Sequence, residues 1–188
     1  MTSNDSTTRH GRVIFSHGLD SGPQAHKIVA LRPVAEAAGW ATEAVDDRDY
    51  HEDPVGRIER LVARLQEIGD ASGEPVVLFG SSMGGFVSVM AAERVAVAGL
   101  FVLAPALYLE HRHPGATTRE RYSPKSDRIH VVHGWNDDII PWSHSARFAE
   151  QHGAGLRLLD AGHRMESVIP ELKRDLAAFL DRVAAASP

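Results

Sequence analysis

The sequence contains no cysteine, which excludes disulfides, thiolate metal sites and a cysteine nucleophile. That absence suits a reducing compartment, and a cytoplasmic setting is expected. Positive charge is also scarce: 20 Lys and Arg stand against 25 Asp and Glu, for a formal net charge of −5. Nothing here provides a basic footprint for phosphates or anionic lipid, so neither nucleic acid nor a membrane is an expected partner. No apolar run approaches the roughly 18 residues of a spanning helix. Residues 1–11 are polar and carry no apolar stretch, so they read as a disordered tail rather than a signal peptide. A single domain is expected over 12–188. No His-Glu-x-x-His or comparable ligand spacing occurs, and no metal or cofactor is expected.

Short, almost wholly apolar runs alternate with longer amphipathic ones. The runs at 13–15, 42–45, 75–79, 97–103, 128–132 and 156–159 have few polar interruptions and many β-branched residues. Such runs suit strands covered on both faces, as in a parallel sheet. Helices are predicted at 25–38, 54–70, 83–94, 141–151 and 165–185. In the last, Leu172, Leu176, Phe179, Leu180 and Val183 recur at three- and four-residue spacing and mark its buried stripe. Alternation of this kind predicts a doubly wound α/β fold with six mostly parallel strands and helices on both faces. Only the connection 104–127 is long and irregular.

One segment carries a chemical signature. Pro75-Val-Val-Leu-Phe leads into Gly80-Ser81-Ser82-Met83-Gly84, an apolar strand followed by Gly-x-Ser-x-Gly and then a helix. A serine held on a sharp strand-to-helix turn needs glycine on both sides, because side chains there would strike the neighbouring strand and helix. Ser82, centred between the glycines, is the candidate nucleophile; the alternative is a Gly/Ser turn that merely links two elements.

Serine needs a base to take its proton, and the base needs an acid to fix its tautomer. In this kind of fold the chain order is Ser, acid, His. Among the 11 histidines, His163 follows the last predicted strand and precedes the last helix, which puts it at the same sheet edge as Ser82. The acid should come from the loop after the preceding strand, where Asp137 and Asp138 adjoin; Asp160 is a third choice. Spacing alone does not separate the first two. Two backbone N–H groups should form an oxyanion hole. Met83, directly after the serine, supplies one. Leu19, in Ser16-His17-Gly18-Leu19 after the first strand, supplies the other.

Taken in order, His17-Gly18, Gly80-x-Ser82-x-Gly84, His133-Gly-x-x-Asp137 and Gly162-His163 resemble the α/β-hydrolase superfamily. His-Gly-Leu-Asp-Ser-Gly-Pro-Gln-Ala-His-Lys and Gly-Ser-Ser-Met-Gly-Gly are similar to the small bacterial esterases of the YqiA-like type. The resemblance covers about residues 12–183. It implies a minimal α/β-hydrolase fold with strand order 2-1-3-4-5-6 and cleavage of a small-molecule acyl ester through an acyl-enzyme. It favours Asp137 over Asp138, through the spacing His-Gly-x-x-Asp-x-x-Ile-Pro. The connection 104–127 is too short for the lid domain of larger relatives, so an open cleft taking short acyl chains is expected. Tyr108, His111, His113 and Tyr122 either line that cleft or sit exposed.

Other residues carry weaker signals. Asp46, Asp47, Asp49, His51, Glu52 and Asp53 form an acidic cluster that reads better as a solvated loop than as a metal site. Trp135 and Trp142 flank the acid loop, either walling a pocket or, more commonly for tryptophan, packing. His26 and Lys27 match the resemblance without a physical role. Thioesterase, amidase, peptidase and acyltransferase chemistry would use the same triad. A non-catalytic ligand-binding protein on this fold would normally have lost one of the three residues.

Overall fold

A computed structural model describes residues 10–109 and 120–186. One six-stranded sheet runs through them, in the order β2-β1-β3-β4-β5-β6 with every neighbouring pair parallel. Its strands are β1 (Gly11–Ser16), β2 (Trp40–Ala44), β3 (Val76–Ser81), β4 (Gly99–Leu103), β5 (Ile129–Gly134) and β6 (Gly155–Leu159). The helices are α1 (His26–Ala37), α2 (Pro54–Ala71), α3 (Met83–Arg94), α4 (Trp142–His152) and α5 (Ile169–Ala184). This is the expected doubly wound arrangement with the expected strand order. No helix among the described residues is long and apolar enough to cross a membrane.

Alternation along each strand divides the core in two. Ile14, Leu78, Leu100, Val102 and Val131 face α2, α3 and α4, where they meet Leu61, Phe86 and Phe148. Val13, Phe15, Val77, Phe79, Phe101 and Val132 face α1 and α5, meeting Leu31, Leu172, Leu176 and Phe179. The predicted stripe of α5 is buried throughout. Each large side chain buried this way contributes on the order of 1.5–3 kcal/mol.

Boundaries differ from the expectation in ways that have physical causes. The strand expected at 75–79 continues through Gly80 and Ser81, paired to Val102 and Leu103. The one at 128–132 likewise continues to Gly134, opposite Leu159. Ladder hydrogen bonds are made by the backbone, so they outrun the apolar pattern used to find them. The helix expected from 165 begins later: Glu166–Val168 is a 3-10 turn and α5 starts at Ile169, with Pro170 in its first turn. The expected tail also ends earlier than Gly11, which pairs with Trp40 in β1. The remainder of that tail, 1–9, lies outside the described residues.

Parallel pairing puts the carboxyl ends of β1, β3, β5 and β6 along one edge. The loops that follow them, with the first residue of α3, carry the candidate site.

Candidate active site

β3 passes into α3 through Ser82, whose φ of 56° and ψ of −117° lie in a sparsely populated region. Holding a non-glycine residue there costs of order 1–3 kcal/mol, sustained by the surroundings. Here the Ser82 N–H donates to Leu103 O at 2.9 Å, and its carbonyl accepts from Ala106 N at 3.0 Å and Phe86 N at 3.1 Å. The turn works only with glycine beside it. A Cβ on Gly80 would stand 2.3 Å from Gly84 O, and one on Gly84 would stand 2.1 Å from Ser16 O. Both obstacles are backbone. Gly84→Ala should therefore destabilise the fold by about 1–3 kcal/mol or more, lowering Tm by roughly 2–12 °C for a chain of this size. An unchanged Tm in thermal denaturation would contradict that account of the turn.

His163 comes from the loop after β6. Its Nε2 lies 3.1 Å from Ser82 Oγ and its Nδ1 2.8 Å from Asp137 Oδ2. Asp137 comes from the loop after β5, and its side chain is fully buried while that of His163 is 19% exposed. Asp137 Oδ1 accepts from the N–H groups of Ile139 (2.9 Å) and Ile140 (2.8 Å). Its Oδ2 also faces His133 Nε2 at 3.0 Å. Burial alone would push this carboxyl up. The hydrogen bonds from His133, His163 and the two amides outweigh it and hold Asp137 well below the usual carboxylate range. Asp138 is exposed, and Asp160, also exposed, accepts instead from Asn136 Nδ2 at 2.8 Å. The structure thus brings Ser82, His163 and Asp137 together and leaves the two rival aspartates outside.

Met83 opens α3, so its N–H is among the first four of that helix, which have no intrahelical acceptor. The loop after β1 lies against the serine: a Cβ on Gly18 would be 3.8 Å from Ser82 Cβ. Leu19 follows directly. The sequence reading missed what holds this loop. His17 is 1% exposed, accepting from Asp47 N at Nε2 (3.0 Å) and donating from Nδ1 to Gly18 O (2.7 Å). That pattern is the neutral Nδ1–H imidazole, and burial lowers its pKa accordingly. Arg57, 0% exposed on α2, reaches the same loop. Its place one turn before Leu61, on the buried stripe of α2, is the sequence signal that could have found it. His133 was missed likewise: beyond Asp137, its Nδ1 accepts from Ser145 Oγ at 2.6 Å and its Nε2 faces Ile140 O at 3.0 Å.

Other expectations resolve differently. Tyr108 and Tyr122 neither line a cleft nor sit exposed; both are buried in the core, with ring centroids 5.1 Å apart. His111 and His113 lie outside the described residues. Trp135 and Trp142 pack edge-to-face on each other but stay 50% and 37% exposed, so they are not core residues. Asp46 pairs with Arg48, and Asp47 and Asp49 with Arg60. Lys27 acquires a physical role: Nζ donates to Arg164 O at 3.1 Å, tying α1 to the loop of His163. A cavity of about 330 Å³ near His130, His152 and Arg182 lies at the opposite, amino edge of β5 and β6 and takes no part in this site.

Comparison with known proteins agrees on the fold. No curated protein sequence matches the chain. A protein from Xanthomonas campestris pv. campestris, described as of the α/β hydrolase superfamily, is 30% identical, with a TM-score of 0.79 over 92% of this chain and 99% of its own. Est1E from Butyrivibrio proteoclasticus, also solved with ferulic acid bound, shares the fold at 16% identity and a TM-score of 0.81, over 98% and 92% of the two chains. So does a Xanthomonas campestris α/β serine hydrolase without a lid, at 16% identity and a TM-score of 0.80, over 98% and 87%. The model of the uncharacterised protein family UPF0227 matches residues 12–125. That span holds the Ser82 turn and the loop after β1, and on these likenesses the chain belongs to the UPF0227 family within the α/β-hydrolase superfamily.

Proposed function

We propose that the protein is a serine hydrolase cleaving carboxylic esters of short acyl chains through an acyl-enzyme. The observation that carries this reading is the continuous hydrogen-bonded line from Ser82 Oγ through the His163 ring to the buried Asp137 carboxylate. Asp137 holds the Nδ1 proton of His163, which leaves Nε2 free to accept the Ser82 proton as Oγ attacks the acyl carbon. The oxygen of the tetrahedral intermediate then turns to the N–H groups of Met83 and Leu19. His163 returns the proton to the departing alcohol, and water repeats the sequence to release the acid. No metal or cofactor enters any step. The absence of cysteine supports a cytoplasmic setting.

Acyl length follows from the connection after β4, 104–127, which is too short to hold a lid domain. Without a lid to enclose a chain, each added methylene soon stays in water and ceases to contribute its roughly 0.8 kcal/mol. A fluorophosphonate probe should label the native protein at Ser82. Across p-nitrophenyl esters, kcat/KM should peak at about two to six acyl carbons, because burial stops there. Absence of labelling would remove the serine-hydrolase reading. A value still climbing at twelve carbons would remove only the open-cleft argument. The same panel extended to thioesters and amides separates esterase from thioesterase and amidase.

A further inference from the structure

Arg57 has no place in the reaction just described, yet a buried guanidinium is costly unless its hydrogen bonds are met. Its Nε donates to Tyr50 O at 3.0 Å. Its terminal nitrogens face three consecutive carbonyls: Nη1 lies 3.5 Å from both His17 O and Gly18 O, and Nη2 lies 3.4 Å from Leu19 O. Gly18 O also accepts from His17 Nδ1 at 2.7 Å and Ser21 Oγ at 3.2 Å. Counter-charge is close: Asp47 is 1% exposed, and the attraction of Arg57 opposes the upward push of burial on its carboxyl.

Peptide planarity gives this arrangement a consequence. In a trans peptide the C=O of one residue and the N–H of the next point in opposite directions. A Gly18 carbonyl held toward Arg57 therefore turns the Leu19 N–H away from Arg57. The Leu19 carbonyl does the same for Asp20. The same loop packs against the serine, where a Cβ on Gly18 would stand 3.8 Å from Ser82 Cβ. Contact with a cation also polarises the peptide groups, which makes their N–H groups better donors.

We infer that Arg57 is a positioning residue for the oxyanion hole, gathering the carbonyls of residues 17–19 so that the Leu19 N–H faces the oxygen of an acyl group on Ser82. The inference rests on the serine-hydrolase reading for its catalytic consequence but not for its structural one. Arg57 touches no reacting atom, so its loss should raise the barrier without weakening ground-state binding.

Three variants test this: Arg57→Met, Arg57→Lys and Arg57→Ala. With p-nitrophenyl acetate, Arg57→Met should lower kcat roughly 10- to 100-fold, less than the 10²–10³ lost with an oxyanion donor itself. KM should hold within about twofold. Affinity for a short trifluoromethyl ketone, whose oxygen becomes an oxyanion on Ser82, should fall in the same proportion as kcat. Arg57→Lys, which keeps the charge but cannot span three carbonyls, should be intermediate. Added guanidinium should restore part of the rate of Arg57→Ala. A folded Arg57→Met with unchanged kcat and ketone affinity, or an effect confined to KM, would overturn the inference. Should Arg57→Met fail to fold, Arg57→Lys at full kcat and ketone affinity would do the same. Hydrogen exchange at the amides of residues 18–20 is read in parallel and should quicken in the variants. If the wild type neither hydrolyses the ester nor takes the fluorophosphonate, the serine-hydrolase reading falls. Exchange then decides the positioning role alone, unchanged protection counting against it.

Discussion

Ser82→Ala is expected to lower turnover of a short acyl ester about a millionfold while leaving the fold intact. Two features of the site make the expectation this sharp. The side-chain contact that the substitution removes is Oγ to His163 Nε2, at 3.1 Å. The backbone strain at Ser82, with φ of 56°, is the same for alanine, since the Cβ is retained. Nothing that holds the turn is lost: the bonds to Leu103, Ala106 and Phe86 are all made by backbone. The comparison to make is purified Ser82→Ala against wild type on p-nitrophenyl acetate, with Tm as control. Hydrolysis near the wild-type rate would sink Ser82 as the nucleophile. A residual rate well above water is expected even so, because the oxyanion N–H groups and the binding surface remain.

Much of the fold is legible because a parallel sheet buried on both faces writes itself as short apolar runs. Every predicted strand and helix overlaps an observed one, and Met83–Arg94 matches to the residue. Edges are less legible for a reason visible at β3. Gly80 and Ser81 have no apolar side chain to mark them, yet their backbones pair with Val102 and Leu103. At the edge strand β2 the pattern misleads in the other direction. Thr42 and Glu43 are only part-buried, while Trp40, outside the expected run, is 3% exposed and anchors the strand.

The candidate triad is legible because its chemistry demands unusual residues at fixed places on the sheet edge. Residues that support it are harder to read. His17 and His133 resemble any other histidine, and their roles rest on contacts to Asp47, Gly18, Ser145 and Ile140 that sequence does not encode locally. Arg57 looks like one more charge on an amphipathic helix, until its carbonyl partners arrive from a loop nearly forty residues earlier. Tyr122 misled for the opposite reason. It sits in an irregular connection, where exposure is the usual outcome, but packs on Phe86 and Phe148.

The two adjacent aspartates should separate cleanly when each is replaced by asparagine. In Asp137→Asn, the amides of Ile139 and Ile140 still require an acceptor where Oδ1 stands, at 2.9 and 2.8 Å. The asparagine oxygen satisfies them, which turns the NH₂ group toward His163 Nδ1, 2.8 Å from the present Oδ2. A donor there forces Nδ1 to accept and moves the ring proton to Nε2. Nε2 then points a hydrogen at Ser82 Oγ instead of a lone pair, so it cannot take the serine proton. Turnover should fall by roughly 10⁴ through this wrong tautomer. Stability should fall too, since His133 Nε2, 3.0 Å from the same oxygen, would lose its carboxylate acceptor and keep only Ile140 O; a hydrogen bond to a charged group is worth about 1.5–3 kcal/mol. Because the Asp137 carboxyl is held below its ordinary range, the wild-type advantage is complete above about pH 4, the unfolded value. It fades as pH falls toward the depressed native value. Asp138→Asn changes an exposed side chain and should leave turnover within about twofold and Tm within a degree or so, as surface substitutions usually do. Steady-state kinetics and thermal melts of the two variants settle the matter. Were Asp138→Asn the damaging one, the Asp137–His163 bond would not be the bond that orients the base.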